Sequence, residues 1–230
     1  MESIYPEVIT TFAAVVLYGV PVAVAVLSYL LGCINGAIAT THIFYHDDVR
    51  RHGSGNAGLT NFYRNYGAKC APMVIAFDML KAVGAVLLGN YFLGYLLGWG
   101  AAGKYFGALF CVIGHMFPVF YGFKGGKGVL VAAGAILAVQ PVLLPVLALI
   151  FLACLLPTGM VSLGSITMAA AYPVLTLVYS LLRGLPTQDV VVCTVGAAIV
   201  GGMVIWMHRT NIQRIRDGKE YRFGQKHKSK

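Results

Sequence analysis

The chain has 230 residues, of which 58% are hydrophobic and 11% charged, and it carries a formal net charge of +9 with a mean hydropathy of +0.77. A water-soluble single domain does not need this much apolar surface, whereas each membrane-spanning helix takes roughly 20 apolar residues. Backbone polar groups in lipid must be satisfied internally. The composition therefore predicts an all-α, polytopic membrane protein.

Apolar stretches predict seven transmembrane helices. In chain order they cover 11–45, 72–99, 103–121, two shorter spans within 128–157, then 159–182 and 190–207. We place the division of 128–157 at Gln140-Pro141, because a residue before proline is biased away from helical geometry. The first stretch is longer than one span requires, and Gly19 and Pro21 are where it is expected to kink or to end a lead-in turn.

The distribution of Lys and Arg predicts the orientation. Three segments hold most of them: 50–69, 124–127 and 209–230. With seven spans these segments fall on one side, which the positive-inside rule assigns to the cytoplasm. We therefore expect the amino terminus outside and the carboxy terminus inside. The chain is interpreted as a single membrane domain, 1–230, whose last part, 209–230, is a basic cytoplasmic tail.

Cysteines and intramembrane charges are interpreted structurally. The five cysteines form no CxxC pair and four lie in apolar stretches, so we expect small buried thiols and no metal site. Asp78 and Lys81 are spaced i, i+3 within the second apolar stretch and can pair on one helix face. We expect a structural pair, although charges at that depth also point to function.

Four glycine-rich polar segments fall on the predicted cytoplasmic face. They are HGSGNAGLTNFYRNYG (52–67), GHMFPVFYGFKGGKG (114–128), TGMVSLGSI (158–166) and HRTNIQRIRDGKE (208–220). Glycine lets backbone N–H groups approach a ligand, and such groups combined with Lys or Arg bind anions. The alternative is that these are ordinary turns whose lysines reach the membrane interface. Several such segments on one face favour ligands that carry phosphate.

These motifs, in this order, resemble the bacterial acyl-phosphate:glycerol-3-phosphate acyltransferase family, an integral membrane glycerol-3-phosphate acyltransferase. The resemblance extends from about Ser28 to Phe223 and includes SYLLGCIN and DMLKA. It implies a seven-span enzyme of the bacterial inner (plasma) membrane with its active site facing the cytoplasm. It also implies transfer of a fatty acyl group from acyl phosphate to the 1-hydroxyl of glycerol 3-phosphate. The products would be lysophosphatidic acid (1-acyl-glycerol 3-phosphate) and phosphate, in the first step of phospholipid biosynthesis.

The resemblance also implies site residues. The expected substrate-binding residues are Ser54, Asn56, Thr60, Asn61, Arg64, Lys124, Ser162, Ser165, Arg214 and Glu220. The expected catalytic residues are His115, Lys127, His208 and Asn211. The chain departs from the usual family pattern at Cys33, Leu59, Val131 and Thr210, where Ser, Ala, Thr and Glu are common.

The sequence leaves the general base of the reaction open between three groups. Acyl phosphate is a reactive mixed anhydride, so the enzyme must mainly hold two anions together with a hydroxyl near the carbonyl. The base is His115, His208 or the phosphate of glycerol 3-phosphate; the phosphate is favoured because the sequence shows no Ser-His-Asp or Cys-His constellation.

The expected partners are acyl phosphate, glycerol 3-phosphate and membrane lipid, without nucleic acid, metal or cofactor. A monomer is compatible with the sequence, which leaves the oligomeric state open. A transporter of phosphorylated metabolites is the alternative function, although its site would usually lie near the membrane midplane between internal repeats.

Overall fold

The structure, a computed structural model, describes residue 10 and residues 13–223. Part of the first predicted span and the end of the basic tail, 224–230, lie outside the described residues. All regular secondary structure within the described part is helical, which agrees with the predicted all-α class.

The α-helices follow one another through short connections. They are α1 (Val20–Cys33), α2 (Gly36–Tyr45), α3 (Leu59–Tyr66), α4 (Ala71–Gly89), α5 (Ala101–Met116), α6 (Val129–Val139), α7 (Leu143–Thr158), α8 (Val161–Leu182), α9 (Thr187–Met207) and α10 (Arg209–Arg216). A π-helical turn, Val15–Gly19, leads into α1, and a second, Asn90–Leu96, extends α4. The lead-in turn thus ends at Gly19, one of the two positions expected to interrupt the first span.

Five helical segments of the described chain are long and apolar enough to cross a membrane. They are Val15–Cys33, Ala71–Leu96, Ala101–Tyr121, Val161–Leu182 and Thr187–Met207. The apolar helices α6 and α7 are shorter, with 11 and 16 residues. They are separated at Gln140–Val142, which confirms the predicted division. The count of seven spans stays a prediction because it depends on these two short helices.

The prediction of one continuous first span over 11–45 was wrong. The helix ends at Cys33, and Ile34 and Asn35 adopt extended conformations. The Asn35 side chain then caps α2 by accepting the N–H of Ile38 at 3.0 Å, and it donates to the carbonyl of Ala57 at 3.0 Å. An apolar pattern does not reveal such a break, because the break depends on a buried polar contact with a distant loop.

Small residues let the helices approach closely near this break. Gly32 of α1 lies against the backbone of Cys111 in α5, and Gly114 of α5 lies against the backbone of Tyr29 in α1. A Cβ atom at either glycine would collide with a carbonyl oxygen, so the α1–α5 contact depends on its absence. This packing brings the carboxyl end of α5 beside the start of α2, where the candidate site lies. The five cysteines, all in the described part, are free thiols and four are buried.

Candidate active site

A cavity of about 400 Å³ opens where the polar segments meet. Its polar lining consists of Ser54, Asn56, Thr60, Asn61, Arg64, Asp78, His115, Lys127, Ser162, Ser165, His208, Asn211, Arg214, Glu220 and Tyr221. Its apolar lining, along α6, α7 and α8, consists of Val129, Leu130, Ala133, Leu144, Ala148, Phe151, Val161 and Met168. The cavity therefore suits a ligand with a polar head and a hydrocarbon chain.

Every expected site residue except Lys124 lines this cavity. The Lys124 side chain is exposed, and its carbonyl oxygen accepts a hydrogen bond from Nη1 of Arg50 at 3.5 Å. Lys124 therefore does not line the cavity, and its expected role in substrate binding stays a prediction.

The glycine-rich loop turns Lys127 inward instead. Gly125 and Gly126 donate their N–H groups to the carbonyls of Met116 and His115 at 3.2 and 3.1 Å. These bonds fold the loop back over the end of α5. Because the loop runs along that helix end, Lys127 enters the cavity while the preceding lysine faces outward.

The first motif combines residues that shape the loop with residues that are free to bind. Asn61 accepts the N–H of Ser54 at 3.0 Å and donates to the carbonyls of Val49 and His52 at 2.9 and 3.0 Å. Its amide is thus engaged with the loop backbone. By contrast, Ser54, Asn56 and Thr60 make no side-chain hydrogen bond within the described chain.

Arg64 supplies a cation with no acidic partner among the described residues. Its guanidinium carbon lies 3.5 Å from the centre of the Tyr221 ring, and its buried Nε has no hydrogen-bond partner in that part of the chain. The sequence did not single out Tyr221. A tyrosine beside a motif is not distinctive in a sequence, and Tyr221 reaches the cavity only because the chain folds back after α10.

That fold-back begins at Gly218, which lies just beyond the end of α10 and has a positive φ of 66°. The N–H of Lys219 then donates to the carbonyl of Arg214 at 2.8 Å. Glycine is the residue best suited to such a left-handed helix cap. The reversal carries Glu220 from the end of the helix into the cavity.

Glu220 organises the side chains around it. Its Oε1 accepts hydrogen bonds from Ser162 Oγ at 2.7 Å and Asn211 Nδ2 at 2.6 Å, and its Oε2 accepts one from Arg214 Nε at 2.8 Å. Burial raises the pKa of this carboxyl group, but the three hydrogen bonds outweigh burial and hold the pKa below its ordinary value. Ser165, in contrast, donates to the carbonyl of Val161 within its own helix at 2.9 Å.

Lys127 lies within reach of this network, and its Nζ donates to Oδ1 of Asn211. Burial, together with the positive charges of Arg214 and Arg64, lowers the pKa of Lys127 to about 8 despite the opposing effect of Glu220. Lys127, Arg64 and Arg214 thus face the carboxylate of Glu220, and Asp78, the other acidic residue of the lining, is paired with Lys81, so the polar end carries a surplus of positive charge. This charge balance suits a phosphate group.

The two histidines have different surroundings. His208 donates from Nδ1 to the carbonyl of Val204 at 2.7 Å, which leaves Nε2 as an acceptor. Burial lowers the pKa of His208 to about 4, so this ring is neutral near pH 7. His115 instead lies with Nδ1 3.0 Å from Nζ of Lys81, which is itself paired with Asp78 at 2.9 Å. The predicted Asp78–Lys81 pair is therefore present, and Asp78 also lines the cavity.

The fold and the site together define a class: a helical membrane protein whose cavity has a cation-rich end and an apolar arm. The model of the family described as glycerol-3-phosphate acyltransferase matches residues 22–218. A glycerol-3-phosphate acyltransferase of Thermoanaerobacter sp. is 36% identical over 205 residues, which cover 89% of this chain and 96% of the relative. The protein of the same name from Syntrophomonas wolfei is 40% identical over 198 residues, which cover 86% and 94%.

Two crystal structures of PlsY, an integral membrane glycerol 3-phosphate acyltransferase, have a similar fold. They represent its glycerol 3-phosphate form and its lysophosphatidic acid form. Each superposes on this chain with a TM-score of 0.74 and is 33% identical to it. The match covers 89% of this chain in both cases, 96% of the chain in the glycerol 3-phosphate form and 95% of the chain in the lysophosphatidic acid form.

The chain belongs to the glycerol-3-phosphate acyltransferase family. It is accordingly an acyltransferase of lipid biosynthesis and an integral membrane protein. Membership also decides against the transporter that the sequence left open as an alternative.

Proposed function

We propose that this protein transfers a fatty acyl group from acyl phosphate to the 1-hydroxyl of glycerol 3-phosphate, releasing 1-acyl-glycerol 3-phosphate and phosphate. The observation that supports this most directly is the joining of a cation-rich pocket and an apolar arm in a single cavity. A fatty chain fits the arm among α6, α7 and α8, while the phosphates of both substrates fit the polar end. Solved structures of PlsY in glycerol 3-phosphate and lysophosphatidic acid forms agree with these ligands.

The cations have separate tasks in this proposal. Two phosphate groups repel each other, and unpaired positive charge from Arg64 and Lys127 offsets that repulsion. Arg64 presents a planar fork suited to a phosphate, whereas Lys127 acts as a point charge. Glu220 holds Asn211 and Arg214 in place and fixes the geometry of the polar end.

The chemical step needs no acyl-enzyme. The 1-hydroxyl oxygen attacks the acyl carbonyl carbon, the bond from that carbon to the phosphate oxygen breaks, and the hydroxyl proton ends on phosphate. Correct placement of the two substrates supplies much of the rate, on the order of 7–11 kcal/mol of the barrier.

The substrate's own phosphate is the base that we favour. A phosphate monoester has a second pKa of about 6, whereas burial lowers the pKa of His208 to about 4. The phosphate therefore holds a proton more strongly than this imidazole. The Nε2 atom of His208 is better suited to accept a hydrogen bond from the 2-hydroxyl of glycerol 3-phosphate, which orients the substrate while the proton of the 1-hydroxyl passes to phosphate.

The membrane arrangement belongs to the same proposal. We place the amino terminus outside and the cavity and basic tail on the cytoplasmic side of a bacterial inner membrane, with seven spans. The basic segments near the cavity support this orientation through the positive-inside rule.

The direct test is phosphate release by purified protein in lipid. With palmitoyl phosphate and glycerol 3-phosphate, we expect release that needs both substrates and a lipid product that is lysophosphatidic acid. Lys127→Ala should remove most of this activity, because it deletes a cation that lines the pocket. Lys124→Ala is the matched control: it deletes an exposed lysine of the same loop and should leave the rate unchanged. A folded wild-type protein that releases no phosphate from acyl phosphate would contradict the proposal.

A further inference from the structure

A buried cluster of three titratable side chains lies behind the polar end of the cavity. Asp78 and Lys81 of α4 and His115 of α5 are 1%, 7% and 3% exposed. Nζ of Lys81 lies 2.9 Å from Oδ1 of Asp78 and 3.0 Å from Nδ1 of His115. The imidazole and the carboxylate are 3.6 Å apart, beyond a hydrogen bond. Lys81 therefore stands between them.

Part of this cluster holds the break between α1 and α2. Lys81 donates to the carbonyl oxygens of Gly32 and Ile34 at 3.0 and 2.5 Å, and Asp78 accepts the N–H of Gly36 at 3.0 Å. Carbonyls at the end of a helix and N–H groups at the start of the next lack partners in their own helix. The pair satisfies these groups, which is a purely structural task.

The contact with His115 is not needed for that task. The other groups around Nζ of Lys81 are two carbonyls and a carboxylate, all acceptors, so the lysine is an ammonium donor. An ammonium group has three N–H donors and no acceptor, so Nδ1 of His115 can only accept toward it, sharing one of those donors, and a neutral ring then carries its proton on Nε2. This Nε2 atom faces Gly126 of the glycine-rich loop and has no hydrogen-bond partner within residues 13–223.

We infer that Asp78 and Lys81 are positioning residues that present Nε2–H of His115 to the acyl phosphate. The inference rests on the proposed function and makes His115 a hydrogen-bond donor to the oxygen on which negative charge develops. A donor fixed in advance at such an oxygen stabilises the transition state. His115 donates a hydrogen bond but transfers no proton, so the bonds formed and broken in the reaction stay as described above.

Lys81 is needed because Asp78 alone would favour the opposite tautomer of His115. Without the ammonium group, the carboxylate becomes the nearest charged neighbour of Nδ1 and draws the proton to that atom. Nε2 would then turn a lone pair toward the anionic substrate. The lysine therefore sets which ring nitrogen faces the cavity as a donor.

Nitrogen NMR tests the tautomer without any turnover. Wild-type protein labelled with ¹⁵N at histidine, in lipid nanodiscs, should show a protonated Nε2 and an unprotonated, hydrogen-bonded Nδ1 for His115, assigned by loss of the signals in His115→Gln. In Lys81→Met the proton should move to Nδ1, whereas Lys81→Arg should keep the wild-type tautomer. An unprotonated Nε2 in the wild type overturns the inference, even if Lys81→Met fails to fold. A failure of the proposed reaction leaves this spectrum unaffected, so the two are distinguishable.

Kinetics then separates positioning from structure. Lys81→Met should lower kcat by about tenfold or more, with the KM for glycerol 3-phosphate within about twofold, because the lost donor acts in the transition state. The glutamine of His115→Gln offers an N–H donor in nearly the same place, so Lys81→Met should lose most of its effect in that background. Equal losses in both backgrounds would reduce Lys81 to its structural task and overturn the inference.

Thr176→Val serves as the control for these variants. It removes a different buried hydrogen bond, from Thr176 Oγ1 to Gln140 Oε1 at 3.2 Å, far from the cavity. We expect it to keep wild-type kcat and KM. A comparable loss of kcat in this control would show that any buried polar deletion slows the enzyme, and would also overturn the inference.

Discussion

Lys124 and Lys127 belong to one loop and carry the same charge, yet their surroundings differ. The first is exposed, whereas the second is half-buried, contacts Asn211 and lies near the positive charges of Arg64 and Arg214. The difference arises from the backbone bonds of the intervening glycines, which turn only one side chain inward. Charge and motif membership therefore predict the loop that reaches the cavity, and the loop geometry decides which lysine lines it.

The lowered pKa of Lys127 predicts an alkaline limit to activity. Because its pKa is about 8, the free enzyme should lose the ammonium charge, and with it kcat/KM, as the pH rises through that value. Lys127→Arg should move this decline to higher pH, since a guanidinium group stays protonated. The measurement is kcat/KM for glycerol 3-phosphate between pH 6 and pH 10. A decline at the same pH in both proteins would assign it to another group.

Replacing Tyr221 should weaken substrate binding through its contact with Arg64. Its ring lies 3.5 Å from the guanidinium carbon of Arg64, and a cation–π contact contributes about 0.5–2 kcal/mol. Tyr221→Ala should therefore raise the KM for glycerol 3-phosphate by about two- to thirtyfold with little change in kcat. Tyr221→Phe keeps the ring face and should restore the KM. If alanine and phenylalanine have equal effects, the stacking contact does not order Arg64.

At the scale of elements, the sequence predicted which segments meet at the cavity better than it predicted the helix ends. Each polar motif falls on a loop or helix end that reaches the cavity, because glycine, amide and basic residues are costly elsewhere in a membrane protein. The break after Cys33 could not be predicted, since its stabilising partners, Asp78 and Lys81, lie on another helix. Tyr221 was missed for a similar reason: it reaches the site only through the reversal at Gly218.

The glycine-rich loop predicts a strong effect from one added carbon. A Cβ atom on Gly126 would overlap the His115 ring and come within 2.6 Å of the Ala57 carbonyl oxygen. Gly126→Ala should thus displace the loop, lower the melting temperature and reduce activity by at least about tenfold, since misplacement of about 1 Å can cost a hundredfold.

Gly84→Ala is the control for that substitution. Gly84 is an exposed residue of α4 with open space around its Cβ position. Replacing it should leave activity unchanged and raise stability by up to about 1 kcal/mol. Thermal unfolding followed with a thiol-reactive dye is suitable because four of the five cysteines are buried. Equal activity of both alanine variants would mean that the loop tolerates displacement.

At the scale of the whole molecule, successive apolar helices run in opposite directions. The ends of α1, α5, α7 and α9 and the starts of α4, α6 and α8 all lie on the side of the cavity, as expected if each apolar helix crosses once. Helix α6 is shorter than the membrane is thick. Its 11 residues rise about 17 Å, whereas the hydrocarbon core is about 30 Å thick. If it crosses, its start beside Lys127 must lie below the membrane surface. That depth would let the phosphates enter from water while the acyl chain stays among lipids.

The turn at Gln140–Val142 provides the test of this arrangement. The side chain of Gln140 pairs with Thr176, near the end of α8 that is remote from the cavity, so we expect the turn to approach the outer surface. A short hydrophilic insertion with a protease site after Gln140 should be cleaved in intact spheroplasts. The same insertion after Gly184 should be cleaved there too, and retained acyltransferase activity would show that both proteins fold. Cleavage after Gln140 only once the inner face is exposed would mean that α6 and α7 form a re-entrant hairpin, leaving five spans in the described chain.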